Sequence, residues 1–237
     1  MMIGTPEWQD VIRAGAGRLG VDLPSAVLDQ FAVHARELLL WNGKINLTAI
    51  TEPLAMAVNH YIDAVVPAPL ISPPARVLDI GSGGGFPGIP LKILQPTLTL
   101  TAIDAARKKV SFLAHVGRVL RLTDYRAVHL RLEKMKSAGG EARTGDAGLG
   151  LFDVIVCRAL ASLADFLALA VPFVAAKGLI LALKGRISAA EVATARRYLT
   201  TIGSSGEGVP GVPELTVNRY RLPVFDSDRS IVVIRFA

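Results

Sequence analysis

Hydrophobic positions recur at helical spacing in the first part of the chain. After Ser25, apolar residues fall three, four or seven positions apart, at Val27, Leu28, Phe31, Leu38 and Leu39. This spacing places them on one face of an α-helix, with Ser25 as a candidate N-cap and Gly43 as a candidate end. A second helical stretch covers 52–70 and ends at two prolines. We therefore predict that residues 1–70 form a helical extension.

The periodicity changes at Arg76. From there, short runs rich in Val, Ile and Leu alternate with helical segments, which is typical of parallel strands connected by helices. The predicted strands contain RVLDIGS, LTLTAID, AVHLRLE, DVIVCRAL and GLILALKG. Two further runs, LTVNRYRLP and RSIVVIRFA, close the chain with no helix between them, which predicts an antiparallel hairpin. We therefore predict an α/β domain in residues 71–237, with a mostly parallel sheet of seven strands ending in that hairpin.

Composition limits the classes of protein that fit this pattern. Although 51% of the residues are hydrophobic and the mean hydropathy is +0.43, no apolar run reaches the roughly 18 residues of a membrane span. The amino terminus lacks the basic and apolar regions of a signal peptide. The single cysteine, Cys157, excludes an internal disulfide and a multi-cysteine metal site. We therefore expect a cytoplasmic protein without a metal, and we predict a monomer.

Charge is unevenly distributed along the chain. Residues 1–70 contain 4 Lys and Arg against 7 Asp and Glu, whereas residues 71–237 contain 22 against 13. A basic excess in one part of a chain favours a polyanionic partner such as nucleic acid. Ordinary solubilising charge explains the same excess equally well.

Glycines are concentrated immediately after the first predicted strand. Asp79 lies inside that strand, and the chain continues as D-I-G-S-G-G-G-F-P-G to Gly88. Such a turn lets a ligand approach the backbone amides at the start of the next helix. A match to the G-x-G-x-x-G pattern of dinucleotide sites begins at Gly83. However, an acid inside the strand suits a cationic amino-acid group better than a pyrophosphate.

Polar side chains end several neighbouring strands of the predicted sheet. Asp104 closes the second strand, 23 residues after Gly81, where an acid can bind the ribose hydroxyls of a nucleoside. Glu133 closes the third strand and Arg158 the fourth. Because the carboxyl ends of parallel strands meet at one edge, these side chains and Asp79 are predicted to surround one ligand. Each also has a local explanation, such as a helix cap for Asp104 or a surface acid for Glu133.

These residues resemble the GidB/RsmG family of bacterial 16S rRNA guanine-N7 methyltransferases. The segment LDIGSGGGFPGIPLKI resembles the family's cofactor loop, and its G-F-P-G-I-P ending is quite specific. Further matches are WNGKINLT (41–48), HYIDA (60–64), DAARKKVSFL (104–113), RLE (131–133), CRALASL (157–163) and LALKG (181–185). The resemblance covers about residues 30–190. It implies a Rossmann-like class I methyltransferase that uses S-adenosylmethionine, releases S-adenosylhomocysteine and acts on 16S rRNA of the small ribosomal subunit.

The resemblance also implies which residues contact the cofactor. These are Gly81, Phe86, Leu132, Glu133 and Arg158. The reasoning from the residues themselves adds Asp79, Gly83 and Asp104 to the same pocket.

The implied reaction determines what the remaining site residues need to do. Guanine N7 carries an in-plane lone pair and loses no proton, so we assign no general base and expect orientation of the reactants to dominate. Arg158 and Lys184, at the ends of the fourth and fifth strands, are predicted to contact guanine or nearby phosphates. Lys184 is equally explained as a strand-end cap. The other RNA-binding candidates are Asn42, Lys44, Asn46, Arg107, Lys108 and Lys109. A local turn explains the asparagines, and a solvated helix face explains the basic run.

Two alternative functions and several unassigned residues remain. A ribosome-assembly or RNA-binding protein with a vestigial cofactor pocket would retain the loop, although the complete loop and both acids disfavour decay. An NAD-dependent oxidoreductase would match the glycines, but the acid in the first strand and the terminal hairpin disfavour it. His60 and Asp63, three residues apart on one helix face, receive no role. The same holds for segment 134–150 and for Ala64 and Ala105, where family members commonly have serine.

Overall fold

The computed structural model of the protein describes residues 1–132, 149–158, 162–205 and 211–237. Glu133 and residues 134–148 of the predicted loop segment lie outside these ranges. Within them, no helix is long and apolar enough to cross a membrane.

The amino-terminal part is helical, as predicted. Its helices are α1 (Pro6–Arg18), α2 (Ser25–Ile45) and α3, which runs from Pro53–Met56 through a π-helical stretch, Ala57–Ile62, to Asp63–Val65. The predicted ends of α2 were wrong by one or two residues. Pro24 occupies the cap position, and the hydroxyl of Ser25 accepts a hydrogen bond from Arg13 instead of capping the helix. The helix continues past Gly43 and ends where Asn46 adopts a left-handed backbone conformation (φ 49°).

The remaining chain forms one seven-stranded sheet in the order β3-β2-β1-β4-β5-β7-β6. The strands are β1 (Arg76–Ile80), β2 (Thr99–Asp104), β3 (Tyr125–His129), β4 (Phe152–Arg158), β5 (Val174–Lys184), β6 (Glu214–Leu222) and β7 (Ser227–Arg235). The first five are parallel, and β7 pairs antiparallel with both β5 and β6. The predicted parallel sheet with a terminal hairpin is therefore confirmed.

The third strand is shorter than predicted. We expected it to extend to Glu133, but β3 ends at His129, which pairs with Asp104 at the end of β2. β2, the strand beside β3, ends at Asp104, and the amide of Leu130 makes the next hydrogen bond to the carbonyl of Asp104, so the ladder ends there. Leu132 therefore follows the strand, and its side chain is buried.

Helices cover both faces of the sheet. They are α4 (Gly88–Leu94), α5 (Arg107–Val119), α6 (Leu163–Ala170) and α7 (Ala189–Ser205). Alternate residues of β1 enter different cores, since Leu78 packs with Leu167 of α6 whereas Val77 packs with Leu91 of α4. The amino-terminal helices share a third core with the glycine segment and α5, in which Phe31 and Phe86 are buried. This packing places the helical extension directly against the predicted ligand loop.

Candidate active site

The glycine segment forms a tight loop over the carboxyl ends of β1 and β2. Gly81, Gly83 and Gly85 have φ values of 72°, 56° and 88°, in the region that side chains disfavour. The amides of Gly81 and Ser82 both donate to the carbonyl of Ile103 on β2, each at 3.0 Å. The glycines are therefore required by the backbone path, and the loop is held at the edge where ligands of parallel sheets bind.

Asp79 is completely buried beneath this loop. Its Oδ2 accepts hydrogen bonds from the hydroxyl of Ser82 and from the amide of Gly88, the latter at 3.0 Å. A Cβ at position 88 would lie 2.6 Å from that oxygen, so only glycine fits there. The other oxygen, Oδ1, is buried and has no hydrogen-bond partner among the described residues. Burial raises the pKa of Asp79 to about 6.

Asp104 connects the end of β2 to the same loop. Its Oδ2 accepts from the amide of Gly83 at 3.0 Å, and its Oδ1 accepts from the amide of Ala106 at 2.8 Å. The second bond stabilises the turn before α5, whose N-cap is Ala106, and the helix has no side-chain cap, so the helix-capping explanation of Asp104 is wrong. Each carboxylate oxygen retains capacity for a further donor. The structure therefore brings the tips of β1 and β2 together, as predicted.

His34, a buried histidine that the sequence analysis missed, connects the helical extension to the glycine loop by a hydrogen bond. His34 Nε2 lies 3.0 Å from the carbonyl oxygen of Gly84, and Nδ1 lies 3.2 Å from the hydroxyl of Tyr61. Because a carbonyl only accepts, Nε2 carries the proton and Nδ1 accepts from the tyrosine. Burial lowers the pKa of His34 to about 4, so the ring is neutral at pH 7. Its position on the buried face of α2, between Phe31 and Leu38, was the available signal.

Arg158, at the end of β4, reaches across to helix α3. Its guanidinium carbon lies 4.8 Å from the centre of the Phe86 ring, in a cation–π arrangement. Nη1 donates to the carbonyl of Asn59 at 2.7 Å, and Nη2 donates to Nδ1 of His60 at 3.2 Å. The His60 ring stacks on Phe86 with 4.5 Å between centroids. Phe86, predicted as a cofactor contact, therefore has a buried ring held between Arg158 and α3.

These contacts determine the protonation of His60. Arginine only donates, so Nδ1 accepts, and the proton lies on Nε2, which donates to Oγ1 of Thr48 at 2.9 Å. Burial and the nearby charge of Arg158 lower the pKa of His60 to about 3. His60 is therefore a neutral positioning group with both nitrogens engaged.

Three side chains from distant parts of the chain contact Asp63. The hydroxyl of Tyr220 donates to its Oδ1 at 2.7 Å. Nη1 of Arg158 lies 3.7 Å from Oδ2, and Nε of Arg229 lies 3.8 Å from Oδ1. Burial raises the pKa of Asp63, while these cations and the tyrosine oppose the rise. His60 and Asp63 thus share Arg158 as a partner, and sequence reasoning gave no indication of Tyr220 or Arg229.

The arginine network borders an open cleft of about 460 Å³. Its polar lining comes from Asn59, His60, Asp63, Arg158, Lys184 and Arg229. Lys184, predicted to meet the substrate, does lie on this cleft, and its Nζ forms an ion pair with Glu191 at 2.6 Å. The cleft therefore adjoins the ends of β4 and β5, next to the glycine loop.

The other predicted RNA-binding residues lie outside this cleft. Oδ1 of Asn42 accepts from the amides of Leu47 and Thr48 at 2.7 and 2.8 Å, so Asn42 stabilises the turn after α2. Asn46 ends that helix, while Lys44 is exposed. At the start of α5, Arg107 and Lys108 are exposed and Lys109 is half-buried. Their RNA contacts remain predictions. Within the described ranges, no cluster of His, Cys, Asp or Glu could hold a metal ion.

Comparison with known proteins identifies the family. The model of the family GidB, rRNA small subunit methyltransferase G, matches residues 27–212. The chain belongs to this family. The family's curated members include a ribosomal RNA small subunit methyltransferase G from Geobacter sp. (strain M21), 39% identical over 226 residues, which cover 95% of this chain and 96% of the relative. The relative of the same name from Geotalea uraniireducens (strain Rf4) is 40% identical over 221 residues, covering 93% of each chain.

The fold extends beyond this family. The O-methyltransferase from Bacillus cereus, solved in complex with SAH, aligns with 99% of this chain and 100% of its own, with a TM-score of 0.56 and 16% identity. At that identity the likeness concerns the fold alone. The predicted family and the predicted methyltransferase fold are both confirmed, and the oxidoreductase alternative is rejected.

Proposed function

We propose that this protein transfers a methyl group from S-adenosylmethionine to N7 of a guanine in the 16S rRNA of the small ribosomal subunit. The names of its relatives support ribosomal RNA as the substrate. The proposal rests on the buried Oδ1 of Asp79, which has no hydrogen-bond partner in the described part of the chain and lies next to a glycine loop and a basic cleft. We expect the protein to act as a monomer in the cytoplasm.

The loop has the chemistry that S-adenosylmethionine requires. A buried carboxylate with one unpaired oxygen favours a cation, and the amino-acid end of this cofactor carries an ammonium group. Asp104 is placed to accept from ribose hydroxyls while it holds Gly83. Gly81 and Gly83 leave their backbone open to close approach, and buried Leu132 follows β3. The cofactor supplies an electrophilic methyl group on a sulfonium sulfur. Glu133 stays a predicted contact outside the described residues.

The adjoining cleft has the donors that the Hoogsteen edge of guanine requires. N7 and O6 are both acceptors on that edge. Arg158 and Arg229 border the cleft as permanent donors, and Lys184 adds a further positive group. A donor on O6 directs N7 towards the methyl group without competing for the N7 lone pair. Orientation and exclusion of water are then the main contributions of the protein.

The protonation state of His60 agrees with a reaction in which no proton is abstracted. N7 loses no proton when it is methylated. Both nitrogens of His60 are already engaged, and its low pKa keeps the ring neutral. His60 and Asp63 are therefore positioning residues, because they hold Arg158 at the edge of the cleft.

Methyl transfer to ribosomal subunits tests this function. Purified protein is incubated with radiolabelled S-adenosylmethionine and small subunits, or free 16S rRNA, from cells that lack the activity. The product is mapped by chemical cleavage at 7-methylguanine, and we expect one guanine to be labelled stoichiometrically. Asp104→Ala should weaken cofactor binding by about tenfold or more, since a buried charge-assisted contact is lost. Asp165→Ala, an exposed acid on α6, is the matched control. Cofactor binding without transfer to either RNA would favour an RNA-binding protein with a vestigial pocket.

A further inference from the structure

A second cleft lies at the base of the carboxy-terminal hairpin. Lys184 at the end of β5 pairs with Ser230, and Leu222 pairs with Ser227, so the hairpin turn lies at the same sheet edge as the active site. The cleft measures about 440 Å³. Its lining includes Arg186, Arg219, Arg221 and Arg229. Arg229 also borders the cleft proposed for guanine. The other three arginines have no role in the proposed reaction.

Apart from Arg229, which contacts buried Asp63, the arginines of this cleft are held loosely. Arg186 pairs with Asp228 at 2.7 Å and Arg221 pairs with Asp226 at 2.6 Å, but all four side chains are more than two-fifths exposed. Exposed ion pairs contribute little to stability, so a stronger polyanion displaces the carboxylates at small cost. Arg219 is exposed and makes no side-chain hydrogen bond or ion pair with any residue in the described ranges. It lies two residues from Arg221, on the same face of β6.

The turn that joins β6 and β7 carries an exposed aromatic side chain. Phe225 is 45% exposed, and the preceding Val224 is 55% exposed with φ at 74°. A β-branched residue rarely adopts positive φ, and such strain concentrates at functional sites. Exposed aromatic rings next to basic groups suit unpaired nucleic-acid bases, which stack on them while phosphates bind the cations.

We propose that the hairpin surface, formed by Arg186, Arg219, Arg221 and Phe225, binds the ribosomal RNA next to the target guanine. The arginines bind phosphates of the backbone, and Phe225 stacks on an unpaired base. Arg229 lines both clefts, and the hairpin turn lies at the same sheet edge as the cleft proposed for guanine, so RNA bound to the hairpin surface is close to that cleft. This inference rests on the proposed function and adds a docking surface that the sequence analysis did not include.

Binding and kinetics of hairpin variants test this surface. The double variant Arg219→Ala, Arg221→Ala should raise the Kd for small subunits or 16S rRNA about tenfold and the KM for RNA similarly, with kcat unchanged. The slope of log affinity against log salt should become shallower by about 1.4 to 1.8, since two phosphate contacts are lost. Phe225→Ala should weaken binding about fivefold or more. S-adenosylmethionine binding should stay unchanged in these variants, which shows that the methyltransferase domain remains folded.

Two comparisons make the test specific. Arg235→Ala removes an exposed arginine from the opposite end of β7, opposite Leu179, and should leave RNA binding unchanged. The double variant Asp226→Asn, Asp228→Asn releases the arginines from their carboxylates and should tighten RNA binding several-fold. If the arginine double variant matches Arg235→Ala, or if the asparagine variant does not bind more tightly, the hairpin surface is not the docking site. Absence of methyl transfer by the unmodified protein would instead contradict the proposed function.

Discussion

Replacing Asp79 by asparagine tests the electrostatic character of the loop. Asparagine keeps the shape and an oxygen that can accept from Ser82 and Gly88, but it does not titrate in the relevant range. Burial raises the pKa of Asp79 from the usual 3.8 to about 6. The folded protein therefore holds a proton on this carboxyl over a pH range in which the unfolded chain has lost it.

The size and sign of the effect follow from this shift. A change of about two pKa units corresponds to about 3 kcal/mol, at 1.36 kcal/mol per unit. Because the folded pKa lies above the unfolded one, stability falls as the pH rises from about 4 to about 6 and is constant above that window. The free energy of unfolding of the wild type minus that of Asp79→Asn should therefore decrease by about 3 kcal/mol between pH 4 and pH 7.

Urea unfolding of both proteins between pH 4 and pH 8, without added cofactor, measures this difference. Asp165→Asn, at an exposed position, controls for the loss of one carboxylate and should follow the wild type. Added S-adenosylmethionine should stabilise the wild type more as the pH passes 6, because the ionised carboxylate favours a cation. Parallel stability curves for wild type and Asp79→Asn would refute both the buried charge and its proposed role.

Three further substitutions test the packing and the arginine network. Gly88→Ala should destabilise the protein by about 1–3 kcal/mol in urea unfolding and weaken cofactor binding in calorimetry, since its Cβ would lie 2.6 Å from Oδ2 of Asp79. Tyr220→Phe should lower the free energy of unfolding by about 1–3 kcal/mol, because it removes a donor from buried Asp63. Arg158→Lys should lower kcat of methyl transfer about tenfold or more, because lysine cannot reproduce the forked contacts to α3.

Control substitutions distinguish these specific effects from nonspecific loss of stability. Gly17→Ala places a methyl group in α1 with no atom within 4 Å and should stabilise the helix slightly. Tyr198→Phe on α7 should leave stability nearly unchanged, since its hydroxyl makes no hydrogen bond within the described ranges. If Gly88→Ala or Tyr220→Phe behaves like its control, the corresponding contact is energetically unimportant. Full kcat in Arg158→Lys would show that the guanidinium geometry has no part in orientation.

Much of the fold was predictable from local patterns. The change from helical to strand-like spacing at Arg76 located the sheet, because side chains alternate along a strand and recur every three to four residues along a helix. The glycine loop was also evident, since a turn with left-handed backbone restricts the residue types that fit. Asp104 was evident from its position at the end of a predicted strand. Errors occurred at element ends, as for β3, where the partner strand rather than the local sequence decides the length.

The contacts that complete the site depended on tertiary structure. Asp63 and Tyr220 are 157 residues apart, and they meet because β7 inserts between β5 and β6 and turns the hairpin towards α3. His34 and Arg158 likewise acquire partners from elements distant in the chain. Sequence periodicity records which face of an element is apolar, so it determined the layers, and the glycine pattern determined the loop. It carries no information on which distant polar side chains meet, because strand order and helix packing decide that.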